Sequence, residues 1–465
     1  MIMEQSKTKK FTQSLTFKGF IIATLVLLLL IPQGMIMDLT YERKERSKET
    51  VEKINEKWSN PQTICGPILS IPYLVMHTEI ENIVTKDNKT EKREKIVYTT
   101  HTLSLTPEQL NIKAELFPEE KYYGIYKTIL YKSNITITGN FKKFINEDTI
   151  KTNFQWDKAY LTFGLSDLKG VSDKIDFKFS NHALDVEAGG NIFNDDDNYY
   201  ARRISAKRLI MAIPELKSIY ENETMTFHCN MSLNGSESIN FIPMGKNTHV
   251  DVEGAWNTPS FTGSFSPEST INDGFSASWK ILHLNRNIPE SWIGDYSYRS
   301  LYESSFGVNL INAVDHYQQN ERSSKYSIMF IVLTFVIFFF VEALTKRKIH
   351  PLQYLLVGIA LVLFYSLLLS ISEQLNFALA YLISSIAIIG LITAYAHSIF
   401  KNKTRTTLLA ALLCGLYIFL YVILQLEDMA LLIGSVGLFV ILGIIMFVSR
   451  KINFYKQDDD LVISD

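Results

Sequence analysis

From Tyr326 to Val448, 123 residues carry only ten charged side chains: Glu342, Lys346, Arg347, Lys348, Glu373, Lys401, Lys403, Arg405, Glu427 and Asp428. All ten stand at the edges of apolar runs. A segment of about 20 apolar residues spans a bilayer as a helix, because its backbone groups find no water there and must bond to one another. Six runs have that length: 19–37, 327–345, 352–371, 375–398, 407–426 and 429–448. This pattern confines the chain to the membrane-protein class. A net charge of -2 leaves no global basic field to draw nucleic acid. Three cysteines are too few for a metal ribbon or a dense disulfide scaffold.

The first run has two readings. Lys7, Lys9, Lys10 and Lys18 precede it, as in a cleavable signal peptide. Its end, Pro32-Gln33-Gly34-Met35-Ile36-Met37-Asp38, has no small-x-small cleavage site. We read it as a signal anchor that stays in the chain.

Lys and Arg in short loops set orientation. Lys7, Lys9 and Lys10 mark the N-terminal tail, Lys346, Arg347 and Lys348 the next basic connection, and Lys401, Lys403 and Arg405 another. Arg450, Lys451 and Lys456 follow the last run. The alternate turns, Ser372-Glu373-Gln374 and Glu427-Asp428, have no basic residue. Both termini are therefore expected in the cytoplasm. The expected layout is a cytoplasmic tail (1–18), an anchor (19–37), an outer β-rich domain (38–325), a five-span domain (326–448) and a second cytoplasmic tail (449–465).

Within the outer segment, Leu39 to Trp58 is charged, with Val51, Ile54 and Trp58 at helical spacing. At 1.5 Å per residue it predicts a helix about 30 Å long. Asn60-Pro61 ends it, because proline disfavours a helical residue before it. Beyond, the period changes to two. Stretches 68–74, 125–131, 135–139, 174–179 and 225–231 are rich in β-branched or aromatic residues, many bounded by Gly, Asn, Asp or Pro. No alternation of strands with long helices is present, so a mostly antiparallel β domain is expected, in one sheet or two.

The chemistry-bearing residues are sparse. Glu342 lies one turn from a span end, within reach of the interface or of Lys346 at i+4. Ser366, Ser370, Ser384, Ser385 and Thr393 read as helix-contact residues. His350-Pro351 reads as a helix start, with proline in the first turn. The outer histidines, His77, His101, His182, His228, His249, His283 and His316, have no H-x-H, H-x-x-x-H or H-E-x-x-H spacing. Ser166-x-x-Lys169 fits a short acyl-transfer pattern but lacks the companion S-D-N and K-T-G motifs. Asn194-Asp195-Asp196-Asp197-Asn198 offers oxygen ligands, but Tyr199 and Ser205 occupy the places where a calcium loop needs glycine and glutamate. It reads as a solvated loop. Cys65 and Cys229 would share an oxidising compartment, yet nothing in the sequence brings them together, and free thiols are expected. Cys414 reads as a small apolar residue within a span.

A longer pattern carries a family resemblance. It runs through Phe306-Gly307-Val308-Asn309-Leu310, Val314-Asp315-x-Tyr317-Gln318 and Arg322-x-x-Lys325-Tyr326. It continues with Leu333-Thr334-Phe335, Phe339, Glu342, Ile349-His350-Pro351-x-Gln353-Tyr354-Leu355-Leu356-Val357-Gly358 and Phe364-Tyr365-x-Leu367-Leu368-Leu369-Ser370, then Ser372-Glu373. In the outer domain it includes Gln62, Gly66-Pro67, Gly124-Ile125-Tyr126, Trp156 to Gly170, Trp256-x-x-Pro259-x-Phe261-x-Gly263 and Gly274-Phe275-x-Ala277-x-Trp279. Over nearly its whole length the chain resembles the bacterial inner-membrane CreD family, departing from it at Ala313, where proline is common.

The resemblance implies a multi-pass inner-membrane protein with a periplasmic domain, associated with envelope integrity and with tolerance to colicins and β-lactams. It implies no catalytic mechanism. The expectation is therefore a non-catalytic protein with no catalytic, cofactor-binding or metal-binding residues and no cofactor. Its expected partners are the lipid bilayer and a periplasmic or cell-wall component or another membrane protein, with no nucleic acid. The alternatives are a sensor or regulator acting through a partner protein, a transporter, and a periplasmic acyl-transfer enzyme built on Ser166 and Lys169.

Overall fold

The computed structural model describes residues 15–84, 90–143, 153–191, 207–294, 296, 298–310, 316–345, 349–426 and 429–450. The expectations placed on Lys7, Lys9, Lys10, 194–198, Ala313, 346–348, 427–428, Lys451 and Lys456 lie outside the described residues. The chain divides into two compact units, Met1–Lys48 with Val314–Asp465, and Glu49–Ala313.

The first apolar run and the charged stretch after it form one helix, α1 (Leu15–Trp58), with Pro32 inside it. It stops before Asn60-Pro61, where the Asp167 carboxylate accepts the Asn60 backbone N–H at 3.0 Å. A side chain from a distant strand thus meets the chain where the helix ends.

The unit Glu49–Ala313 is built on two sheets. The first runs β14 (Pro259–Gly263), β18 (Phe306–Leu310), β12 (Ser238–Phe241), β1 (Gln62–Val84), β6 (Tyr160–Leu165), β10 (Lys207–Ala212) and β9 (Glu187–Asn191). β2 (Thr90–Leu105) and β5 (Asn153–Phe154) also pair with β1, and β17 (Ser291–Ile293) pairs with β2. The second runs β15 (Glu268–Asn272), β16 (Gly274–Leu282), β13 (Asn247–Gly254), β3 (Gln109–Tyr123), β4 (Tyr126–Asn140), β11 (Thr226–Ser236), β7 (Asp176–Phe179) and β8 (His182–Leu184). Pairing is antiparallel except for β1 with β12 and β3 with β13. Two short helices, α2 (Leu216–Asn222) and α3 (Tyr298–Glu303), complete the unit.

The period of two explains the burial. In β3, Leu110, Ile112, Ala114 and Leu116 are buried while Asn111, Lys113, Glu115 and Phe117 are exposed. Leu69, Ile71 and Phe163 of the first sheet join Ile137, Phe227 and Trp279 of the second in one apolar core. The stretches 125–131 and 135–139, expected as separate strands, fall from Tyr126 onward in one strand, β4, because pairing with β3 and β11 continues through Lys132-Ser133-Asn134 despite their turn-prone side chains.

In the other unit, α4 (His316–Lys325) is polar and meets α5 (Ser327–Thr345) at a 48° bend. α6 (Pro351–Ser372), α7 (Phe377–Phe400), α8 (Lys403–Gln425) and α9 (Ala430–Ser449) follow. Among the described residues, five helices are individually long and apolar enough to cross a membrane, and there are six if the bent pair α4–α5 is taken as one span. Large apolar side chains such as Ile31, Leu352, Ile386 and Phe439 lie exposed on these helices, as lipid-facing positions require. The inner faces meet in a second core that includes Leu29 of α1, Phe335, Phe364 and Tyr417. Gly358 leaves a notch that the Leu29 side chain fills.

Two turn glycines separate strain from collision. Gly124 sits at φ +61° with open space around it, so Gly124→Ala should cost about 1–2 kcal/mol through conformation alone. Gly263 sits at φ +95°, and a Cβ there would overlap the Ser305 carbonyl oxygen. Gly263→Ala should therefore cost distinctly more, about 3 kcal/mol or above. Membrane accumulation and thermal unfolding of both variants should rank them in that order.

Candidate functional site

The Ser166–Lys169 pair is the one sequence motif that pointed to catalysis. Its two polar ends face different backbone carbonyls. Ser166 Oγ donates to Pro61 O at 2.8 Å and accepts the Thr63 N–H at 2.9 Å. Lys169 Nζ donates to Glu56 O at 3.0 Å. Around them the Gln62 amide donates to Ser59 Oγ at 2.8 Å and Asp167 O at 2.9 Å, and lies 3.1 Å from Asn234 O. Asp167 accepts from Asn60 Nδ2 and from Lys169 N, both at 3.0 Å. Gly170 closes the group, since a Cβ there would meet Asn234 O and the Gln62 amide. These residues tie the end of α1 to β1, β6 and β11. The arrangement is a structural junction, with the serine hydroxyl engaged by backbone on both sides.

In the helical unit the main polar centre is Glu342. Its side chain is buried, and its carboxylate joins three helices. Lys18 Nζ of α1 donates to Oε1, Ile349 N donates to Oε1 at 3.0 Å, and Tyr354 Oη of α6 donates to Oε2 at 2.8 Å. The expected partner Lys346 lies outside the described residues. The structure adds a distant pairing: the chain returns through Ile349 to Tyr354 beside the carboxylate, and Lys18, which also pairs with it, lies 324 residues away. The neighbouring His350 caps α6: its Nδ1 accepts from Leu352 N at 3.3 Å, and its own N–H donates to Gln353 Oε1 at 2.9 Å. This matches the helix start expected at His350-Pro351.

At the other end of α5, Glu321 accepts from Lys325 Nζ at 2.8 Å and from Lys44 Nζ at 2.9 Å. Glu373 accepts from Tyr317 Oη at 3.3 Å, and Asn320 Nδ2 donates to Ser372 Oγ at 2.7 Å. Apart from the Glu321–Lys325 pair within α4, these contacts fasten α4 to its neighbours, and none gathers a set of catalytic groups.

Sequence reasoning passed over two residues in the β unit. Arg286 is buried, and its guanidinium donates to Gly245 O at 2.9 Å, Met244 O at 3.3 Å and Ile288 O. Glu237 sits in the turn between β11 and β12 at φ +58°, lining a cavity of about 390 Å³ with Lys127, Thr128 and Asn309. Burial pushes its carboxyl upward, the Asn55 side chain pulls it back, and the Glu52 charge raises it again. No signal in the sequence marks either residue, since the surroundings of each are assembled from segments far apart in the chain.

The histidines are dispersed. His249 faces Asp251 at 3.2 Å, His77 faces Glu79 at 3.6 Å, and His182 lies between Glu215 and Glu223 at 3.7 Å from each. Among the described residues, no group of three His, Cys, Asp or Glu side chains is placed to hold a metal. Cys65 and Cys229 are buried free thiols on opposite sheets, each pushed up to about 12 by burial. Cys414 is also free and is exposed on α8.

Apolar helices long enough to span a bilayer, joined to a mostly antiparallel β unit inserted after the first of them, define a multi-span membrane protein. The sequence profile of the family described as inner membrane protein CreD matches residues 14–455. The chain belongs to that family. It is 29% identical over 437 residues to the inner membrane protein CreD of Escherichia coli (strain K12), covering 92% of this chain and 91% of that protein. The family is named for its place in the inner membrane and not for a reaction.

Two predictions come from these charges. Lys18→Met removes an ammonium group from the buried Glu342 carboxylate and should cost about 1–3 kcal/mol, while Lys18→Met with Glu342→Gln should recover part of that loss. Thermal unfolding of the detergent-purified variants measures both. For Glu237, a raised carboxyl means the folded state binds more protons than the unfolded one, so stability falls as pH rises through the folded-state value. Glu237→Gln should therefore unfold at a higher temperature than the parent at neutral pH, and the difference should vanish on acidification below about pH 4. Equal melting at neutral pH would contradict the raised carboxyl.

Proposed function

We propose that the protein is a non-catalytic component of the bacterial cell envelope. It supports envelope integrity and stress tolerance through contacts that its periplasmic β unit makes with a periplasmic or cell-wall component or another membrane protein. The charge bias of the short loops supports a cytoplasmic location for both termini. The engagement of Ser166 and Lys169 by separate backbone carbonyls speaks against an acyl-transfer enzyme.

The observation that carries this reading is a two-stranded arm. β1 and β2 stay paired as far as Val84 and Thr90, while β5 ends its pairing with β1 at Leu74 and β17 pairs with β2 only from Leu103 to Leu105. Past those points no third strand joins the ribbon among the described residues. Met76 stands opposite Tyr98 and Thr78 opposite Ile96, with Ile80 further along the same face. Met76, Ile80, Ile96 and Tyr98 are all exposed. A two-stranded ribbon has little stability of its own, and a contiguous apolar face on it marks a contact surface.

Complementation of a deletion strain tests the reading, with membrane levels measured beside stress tolerance. Changing Met76, Ile80, Ile96 and Tyr98 together to serine should leave accumulation near normal and abolish tolerance. Ser166→Ala should leave tolerance intact wherever the protein accumulates. Tolerance surviving in the arm variant, or lost in a normally accumulating Ser166→Ala, would overturn the reading.

A further inference from the structure

We propose that the β unit carries a binding site for a single anionic amphiphile, an apolar chain ending in a carboxylate or phosphate, between the last turns of α1 and the β3–β4 hairpin. A cavity of about 340 Å³ opens there, walled by Ile54, Trp58, Tyr123 and Leu130, with Lys53 and Lys57 on its border. That volume falls at the lower end of small-ligand sites, and walls of this kind suit part of an acyl chain.

Three features select the ligand. Lys53 and Lys57 lie four residues apart on one helix face, so their charges repel, and neither has a hydrogen-bond or ion-pair partner among the described residues. Trp58, half-buried, gives the same cavity an aromatic wall. Tyr123 stands 64% exposed at the cavity mouth, an aromatic wall left uncovered. An anionic headgroup would satisfy the two ammonium groups, while its chain covers Trp58, Tyr123 and Ile54. Lys57 also offsets the carbonyl dipole in the last turn of α1. That role does not account for Lys53, a turn further in. A neutral lipid would leave both lysines uncompensated, and inorganic phosphate would leave the apolar walls open.

The five tryptophans, Trp58, Trp156, Trp256, Trp279 and Trp292, all lie in the β unit. Bromine on a bound chain therefore reports directly on this unit. The probe is a fatty acid brominated at mid-chain, added to the full-length protein in phosphatidylcholine nanodiscs. Saturable quenching is expected, and Trp58→Phe should remove most of it. Lys53→Gln with Lys57→Gln should weaken binding about tenfold or more, as should replacing the acid by the brominated alcohol of equal length. An alkyl phosphate should compete and inorganic phosphate should not, which separates an amphiphile from a simple anion. Quenching that persists in Trp58→Phe, or equal binding by the double lysine variant or by the alcohol, would overturn the proposal. Lys53 and Lys57 are exposed, so their variant keeps the test decisive even if Trp58→Phe accumulates poorly.

Discussion

A buried carboxylate in an apolar helix bundle persists only where its charge is met, and Glu342 is met from three directions. Lys18 brings α1 to α5, Ile349 fixes the returning connection, and Tyr354 adds α6. Deeper in the bundle, Leu29 of α1 is 1% exposed and fills the notch at Gly358. Polar pairing at one level and close packing at another hold the same helix. The first apolar run thereby packs into the apolar core of the helical unit. We take this packing to favour the retained anchor over the cleaved leader.

The β unit solves a different problem in the same chain. Its core is apolar and continuous across two sheets, so strand pairing and period-two burial supply most of its order. What remains is to end a long helix and begin a strand without leaving backbone groups unmet. Gln62, Asp167, Ser166 and Gly170 do this together, each engaged by backbone or by another member of the group. The serine–lysine spacing that resembles an acyl-transfer motif arises from this junction: Ser166 bridges Pro61 and Thr63, and Lys169 reaches back to Glu56.

Much of this was legible in the sequence wherever the physics is local. The run 327–345 is α5 to the residue, because a lipid-facing helix must begin and end with its apolar run. Asn60-Pro61 marked the end of α1, and His350-Pro351 the start of α6. The long-range features were not legible. Lys346 was the local partner that the sequence offered to Glu342, and nothing in the sequence marks Lys18, 324 residues away, as another. The parallel pairings of β1 with β12 and β3 with β13, the setting of Glu237 and the orphan indole of Trp58 all depend on which strands become neighbours. The family resemblance did touch this layer, since Gln62, Gly170 and Glu342 are among its matched positions. Their physical roles became visible only with their partners in place.

The central claim is that α1 remains in the mature protein as part of the membrane core. Mass spectrometry of the protein purified from membranes tests it most directly, by identifying its N-terminal peptides. The prediction is a chain that retains Lys18, Leu29 and Gln33 in essentially every molecule. A mature chain beginning beyond Met37 would contradict it, because the Glu342 carboxylate and the Gly358 notch would then have lost the helix that fills them.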